Sequence, residues 1–165
     1  MAATKYGVGC KAIKAGAVGA TGGMGTTLTD VGAPYKGTVS IIDADGTVTK
    51  HLAENSKFPF LAVLDGAGTQ VKFTLANILP TTLTQWLGGT VATDTWSAPV
   101  QSFSIEQSVS IDTLFGATIK IVRLFMYCKM TWNMSRTEIA KLEITGEVMQ
   151  PDDPLAAPIT IGPSV

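Results

Sequence analysis

A mainly β, antiparallel fold with one short flanking α-helix is what this sequence predicts. Three observations predict it. Residues 100–149 alternate apolar and polar side chains over long runs, the period of a strand with one buried and one wet face. Short Asp- and Gly-rich stretches punctuate the first half at strand-length intervals, as turns between strands do. The period shifts to that of a helical face only once, at Leu79, Leu83, Trp86 and Leu87.

The alternation sets Gln101, Phe103, Ile105, Gln107, Val109 and Ile111 against Ser102, Ser104, Glu106, Ser108, Ser110 and Asp112. It returns with Leu124, Met126, Cys128, Met130, Trp132 and Met134 against Arg123, Phe125, Tyr127, Lys129, Thr131 and Asn133. A third run places Ala140, Leu142, Ile144, Gly146 and Val148 on one face, with Lys141, Glu143, Thr145 and Glu147 on the other. These are expected to be long strands of an antiparallel meander that carries the core, Trp132 included.

The elements before them are weaker. Lys5 to Val18 alternates loosely through Tyr6, Val8, Cys10 and Ala12, and its glycines suit an edge strand. Residues 16–36 hold seven glycines or prolines and are expected to form a long Gly-rich loop, mobile in a lone subunit. Gly37 to Ile42 and Thr47 to Leu52 are expected strands about a turn at Asp43-Ala44-Asp45-Gly46. Phe58 to Leu64, apolar on both faces, is expected to be buried on both sides or to lie at an interface, and Asp65-Gly66-Ala67-Gly68 to turn it into Thr69 to Leu75. The helix is placed at about 77–88, capped by Asn77 or Thr81, with Pro80 in its first turn and Gly88-Gly89 ending it. Gly89 to Pro99 is expected to be a loop carrying Trp96. Prolines 151, 154, 158 and 163 predict an extended tail over 150–165.

Length and composition fit this picture. A chain of 165 residues is one domain by default, here 1–165. Charged residues make up only 15%, below the quarter or so usual for a free globular domain, which points to surface covered by other chains. Twelve basic and thirteen acidic residues leave a net charge of −1, and the lysines are scattered. No patch made to grip nucleic acid follows from them. Cys10 and Cys128 are expected to be free buried thiols. No secretory pattern opens the sequence and no apolar run has the length of a membrane span. Synthesis and retention in a cytoplasm, with no membrane partner, are expected.

Motifs that carry chemistry are few. Gly19-Ala20-Thr21-Gly22-Gly23-Met24-Gly25 spells a variant dinucleotide fingerprint, but the mechanism needs a helix to start there, and Thr26 to Gly37 has no helical stripe. Asp43, Asp45, Thr47, His51 and Glu54 match oxygen positions of a calcium loop, yet Val48 stands where its sharp turn requires glycine. His51, the one histidine, has no nucleophile and acid arranged around it, and Asp152-Asp153 lies in a proline-rich tail. No enzyme, cofactor or metal site is expected.

The face opposite the core of the second long strand holds Arg123, Phe125, Tyr127 and Lys129. With Phe58 and Phe60 these are the candidate subunit-interface residues, since aromatics and arginine concentrate at protein contacts. The order of elements carries a resemblance. Lys36-Gly37-Thr38-Val39-Ser40 leads a strand. Lys57-Phe58-Pro59-Phe60 and Val71-Lys72-Phe73-Thr74-Leu75 follow. Next come Leu87-Gly88-Gly89-Thr90-Val91, Trp96-Ser97-Ala98-Pro99 and the ending Leu142-Glu143-Ile144-Thr145-Gly146-Glu147-Val148-Met149-Gln150-Pro151.

In this order the chain resembles the major tail tube proteins of tailed bacteriophages over nearly its whole length. The resemblance implies an antiparallel β-sandwich or barrel with one short flanking α-helix, a fold shared with the tube protein of type VI secretion systems. It implies hexameric rings whose inner sheets join into one barrel around a channel. Rings stack through the N-terminal region, a long loop and the C-terminal tail. The channel passes the tape-measure protein and then DNA, without specific nucleic-acid binding, and the product is a virion tail part with no catalytic residues. Under it, Ser102, Ser104, Glu106, Ser108, Ser110 and Asp112, mostly hydroxyls with two acids, are the candidate lumen face. Other expectations stay open: a tail-terminator or baseplate-hub ring of the same fold, a carbohydrate-binding sandwich using Trp96 and Tyr35, or an enzyme using the Gly19–Gly25 fingerprint.

Overall fold

One strand, β8 (Ala117–Thr131), carries neighbours along both edges and fixes the architecture. A computed structural model gives the fold and describes residues 9–54, 57–76, 79–133, 135–137 and 139–163. On one side β8 pairs with β7 (Ser104–Thr113). On the other, its C-terminal half pairs with β9 (Lys141–Val148) and its N-terminal half with β10 (Ile159–Pro163). Beyond β7 lie β1 (Cys10–Gly16) and β2 (Thr29–Asp30). Beyond β9 lie β4 (Pro59–Leu75) and β3 (Ser40–Leu52). Every pairing is antiparallel, and the order is β2-β1-β7-β8-β9-β4-β3.

The sheet also joins its own margins. Val31 donates its N–H to Ile13 O at 3.0 Å, and Tyr35 donates to Thr74 O at 2.7 Å beside a Pro34–Leu75 bridge. The segment after β2 therefore runs from β1 across to β4 and closes the β-structure around a core. Ile13, Val71, Phe73, Leu75, Val109, Ile111, Ile121, Leu124, Met126, Leu142 and Ile144 fill that core. The single helix, α1 (Pro80–Leu87), lays Leu83 and Trp86 onto it, with Trp86 edge-on to Phe73 at 6.0 Å between ring centres. The Trp86 indole N–H has no hydrogen-bond partner among the described residues.

The alternation read from Leu124 onward stops at a bulge. Gln107 pairs with Leu124 but Val109 pairs with Ile121, so β8 carries one extra residue at Val122–Arg123. The core side of β8 switches there from even to odd positions. Ser108 fills the irregularity: its hydroxyl donates to Val122 O at 2.6 Å and accepts from Gly25 N at 2.9 Å.

Several expectations are corrected. Asp43–Gly46 and Asp65–Gly68 do not make two separate turns. Asp43 pairs with Thr69, Ala44 with Ala67 and Thr47 with Asp65. The two turn-like stretches face each other as bulges halfway along one long hairpin, and β3 and β4 run through them. The Gly-rich loop is seated on its own chain: Gly19 and Gly23 close a turn, and Gly25 rests on Ser108. The end of the tail is extended but does not hang free: residues 159–163 pair with β8 as a strand. Residues 89–99 contain a small hairpin, β5 (Thr90–Ala92) and β6 (Thr95–Ser97), turned by Thr93 and Asp94 at positive φ. α1 begins at Leu79 in extended conformation without a side-chain cap; Thr81 does not serve, and Asn77 lies outside the described residues. Gly88 donates its N–H to Thr84 O and ends the helix. Trp132 is 54% exposed, because β8 and its core cover end at Thr131. Of the first expected strand, Tyr6 and Val8 lie outside the described residues, as does Met134 of the later turn.

Cys10 and Cys128 are free thiols. Cys10 pairs with Thr113 at one end of β7 and Cys128 lies near the other, roughly 30 Å away along the strand. Burial, and secondarily the Glu143 carboxylate, push the Cys128 thiol up to about 12. At pH 8 folded Cys128 should label with iodoacetamide about a hundred- to a thousand-fold more slowly than in urea; equal rates would contradict its placement. The sign for stability follows. The folded thiol keeps its proton longer than the unfolded one, so its contribution is complete below about pH 9 and disappears as pH rises toward 12.

Candidate assembly surfaces

The sheet presents one broad outward face. Residues directly opposite in register share a side, and Ser104 pairs with Tyr127 and Glu106 with Phe125. The residues read as a lumen face on one strand and as an interface on the next therefore lie on a single surface. It continues across β9 and β4, where Lys129 pairs with Glu143, Tyr127 with Thr145, Phe125 with Glu147 and Thr145 with Lys72.

Three ion pairs lie on this face. Arg123 donates from Nε to Glu106 Oε2 at 2.8 Å and from Nη1 to Asp152 Oδ1 at 2.7 Å, joining β7, the β8 bulge and the tail. The hydrogen bond to Glu106, ahead of the other influences, raises the guanidinium's affinity for its proton. Asp112 accepts from Thr118 Oγ1 at 2.7 Å and lies 3.4 Å from Lys14 Nζ. Both acids of the expected lumen strand thus have cationic partners.

That lumen strand is also partly covered. Ser102, Ser104 and Glu106 are exposed, but Ser108 is fully buried and Ser110 nearly so. The expectation of six open positions is corrected: the loop at Gly25 sits on Ser108, and the wall ends there. Of the expected interface residues, Tyr127 and Lys129 are exposed and Arg123 and Phe125 partly buried. Phe58 and Phe60 are 74% and 73% exposed. They lie far from β8, on the hairpin.

The hairpin is the second surface. β4 pairs with β9 only over Gln70–Leu75, so residues 59–69 of β4 and their partners on β3 project as a two-stranded arm. Val48, Leu52, Phe60, Leu61 and Leu64 on it are all at least half exposed, as is Ile42 at its root. Val48 and Leu64 are directly opposite, and Phe60, which shares the parity of Leu64 along β4, falls in the irregularity between the His51–Leu61 and Leu52–Pro59 pairs. The outer edge of each arm strand has no strand partner among the described residues. The sequence showed the apolar run; it could not show that the run projects, because both flanking turn signals were absorbed as bulges.

The third surface is a pair of clefts. One of about 560 Å³ lies near the arm's root, lined by Cys10, Val39, Ile41, Ile111, Leu114 and Ile119 among others. Another of about 510 Å³ lies where β8 ends, lined by Leu87, Trp96, Phe103, Tyr127, Met130 and Trp132. Sequence reasoning missed the second, because Phe103 and Trp132 fall in the core phase of their strands while lying at strand ends. Trp96 donates its indole N–H to Gly88 O at 2.8 Å. Tyr35 belongs to the other cleft, its ring 4.5 Å from Lys141 Nζ. The two aromatics proposed as a sugar platform are not brought together.

The remaining motifs resolve into structure. No helix follows Gly25; the chain runs into β2. Of the calcium-like residues Asp43, Asp45, Thr47 and His51 lie along β3 and Glu54 beyond its end; Asp43 Oδ1 accepts from Thr69 Oγ1 at 2.5 Å, and His51 sits exposed on the arm opposite Leu61. Among the described residues no three His, Cys, Asp or Glu side chains gather at one point. No protein-family model matches the chain, and neither does any curated protein sequence.

Proposed function

We propose that this chain is a structural ring subunit of a phage-type tail tube. Copies close into hexameric rings that stack around a channel for the tape-measure protein and DNA in transit. The observation that carries the reading is the arm: a long apolar hairpin, unpaired along its edges, on a domain whose core is otherwise complete. A monomer gains nothing from such an extension, which invites aggregation unless a partner covers it. The low charge content and the resemblance in element order agree with that.

In this reading the outward face of β7, β8, β9 and β4 is the channel wall. Acids and bases there lie opposite or bridge one another, as Lys129 does with Glu143 and Arg123 with Glu106. A wall neutralised locally offers a polyanion neither a continuous cationic track nor a net repulsive field.

Purified protein should form annuli or tubes in negative-stain micrographs and sediment far above 17.3 kDa at micromolar concentration. A species that stays monomeric near millimolar concentration would remove the proposal. Isolated rings that never stack would favour a terminator or hub ring of the same fold.

A further inference from the structure

We infer that the arm of one copy seats in the aromatic cleft at the end of β8 of the next copy, a head-to-tail joint. The inference rests on the assembly reading above and names its two halves.

The first argument is area. Eight large apolar side chains are exposed along the hairpin and its turn, at roughly 100 Å² each; Val48 and Leu64 lie on one face and Leu61 and Val63 on the other, so a single face offers on the order of 400 Å², the size of a functional apolar patch. A small ligand could not cover it; a second protein surface can.

The second argument is polarity of placement. β4 and β8 are both antiparallel to β9 and so run parallel to each other. The arm leaves the sheet past the Val148 end of β9, whereas the cleft is lined by Tyr127, Met130 and Trp132 near its Lys141 end. The two features lie at opposite ends of the sheet. Surfaces so placed can close reciprocally between two antiparallel copies or repeat head to tail; only the head-to-tail repeat, a heterologous joint that builds rings or filaments, agrees with the assembly reading.

The third argument is chemistry. Among the described residues no charged side chain lines the cleft, and the arm face it would receive carries Val48, Phe60 and Leu64 with Lys50 alongside. The lysine stem can cross the rim with its ammonium in water. The rival cleft lies at the arm's own root, beside Val39 and Ile41 of the segment entering β3. An arm received there would join like ends, as in copies side by side or a two-fold pair, and would not link copies end to end.

Two substitutions at exposed positions test this, Phe60→Asp on the arm and Trp132→Asp in the cleft, with circular dichroism confirming that each variant folds. Tyr127→Asp replaces Trp132→Asp if the latter does not fold. Each variant alone should stop assembly at a species smaller than wild type, with association weakened at least tenfold. A mixture keeps one good arm and one good cleft, and should recover association but halt at twice the mass of that smaller species in analytical ultracentrifugation. If both variants assemble as wild type does, or if their mixture recovers nothing, the joint is elsewhere and the inference is wrong while the tube reading stands. If wild-type protein itself stays monomeric, both readings fall.

Discussion

Trp86→Ala should lower the free energy of unfolding by about 3–5 kcal/mol, measured by urea titration. Trp86 is 1% exposed, packs edge-on against Phe73 and is the main anchor of the only helix among the described residues. Removing it leaves a large cavity between α1 and the sheet. That is a substantial part of the roughly 5–15 kcal/mol by which domains are usually stable. Trp86→Phe separates volume from polarity. It keeps a ring against Phe73 and deletes an indole N–H that has no partner, so it should cost no more than about 1.5 kcal/mol. Similar losses for the two variants would mean that the indole N–H is in fact satisfied and that Trp86 is held by more than packing.

Gly25→Ala should destabilise the fold by about 2–4 kcal/mol, combining overpacking with a lost hydrogen bond. A β-carbon at Gly25 would overlap the carbonyl oxygen of Ala17, a backbone atom that cannot rotate away, and would press on Ser108 Cβ at 3.2 Å. The loop would lift, Ser108 Oγ would lose its donor, and the side of β7 at Ser108 and Ser110 would open to water. Gly66→Ala is the control: nothing lies within 4 Å of its β-carbon position. It should change stability by less than about 0.5 kcal/mol. Hydrogen exchange at Ser108 and Ser110 would report the lifted loop directly, rising in the Gly25 variant and staying unchanged in the control.

Legibility in the sequence followed the range of the interactions. The class of fold, the core positions of β9 and of β8 from Leu124 to Met126, and Leu83 and Trp86 on α1 are set by neighbours two to four positions apart, and they read correctly; Leu79 does not, since it precedes the helix and is exposed. The bulge at Val122–Arg123 is a property of register against β7, so no window along β8 alone contains it. The same limit misled the reading of Asp43–Gly46 and Asp65–Gly68. Each is a good turn by composition, and only their mutual pairing makes them bulges in one hairpin. Trp132 was assigned to the core because its parity matches Met126 and Cys128; the sheet ends before it does. Ser104 and Glu106 on β7 and Phe125 and Tyr127 on β8 were read strand by strand, and that they share one surface is a fact of strand order. Cofactor-like spacing at Gly19–Gly25 had a packing origin: glycines let two stretches of backbone lie against each other and against Ser108.

Placing the projecting flap and the aromatic hollow at opposite poles has a kinetic corollary. A stack joined through them would expose, after every addition, the same docking end it began with, so nothing in the subunit would set a final length. Growth would stop only when monomer ran out or when some other molecule, a ruler or a cap, intervened.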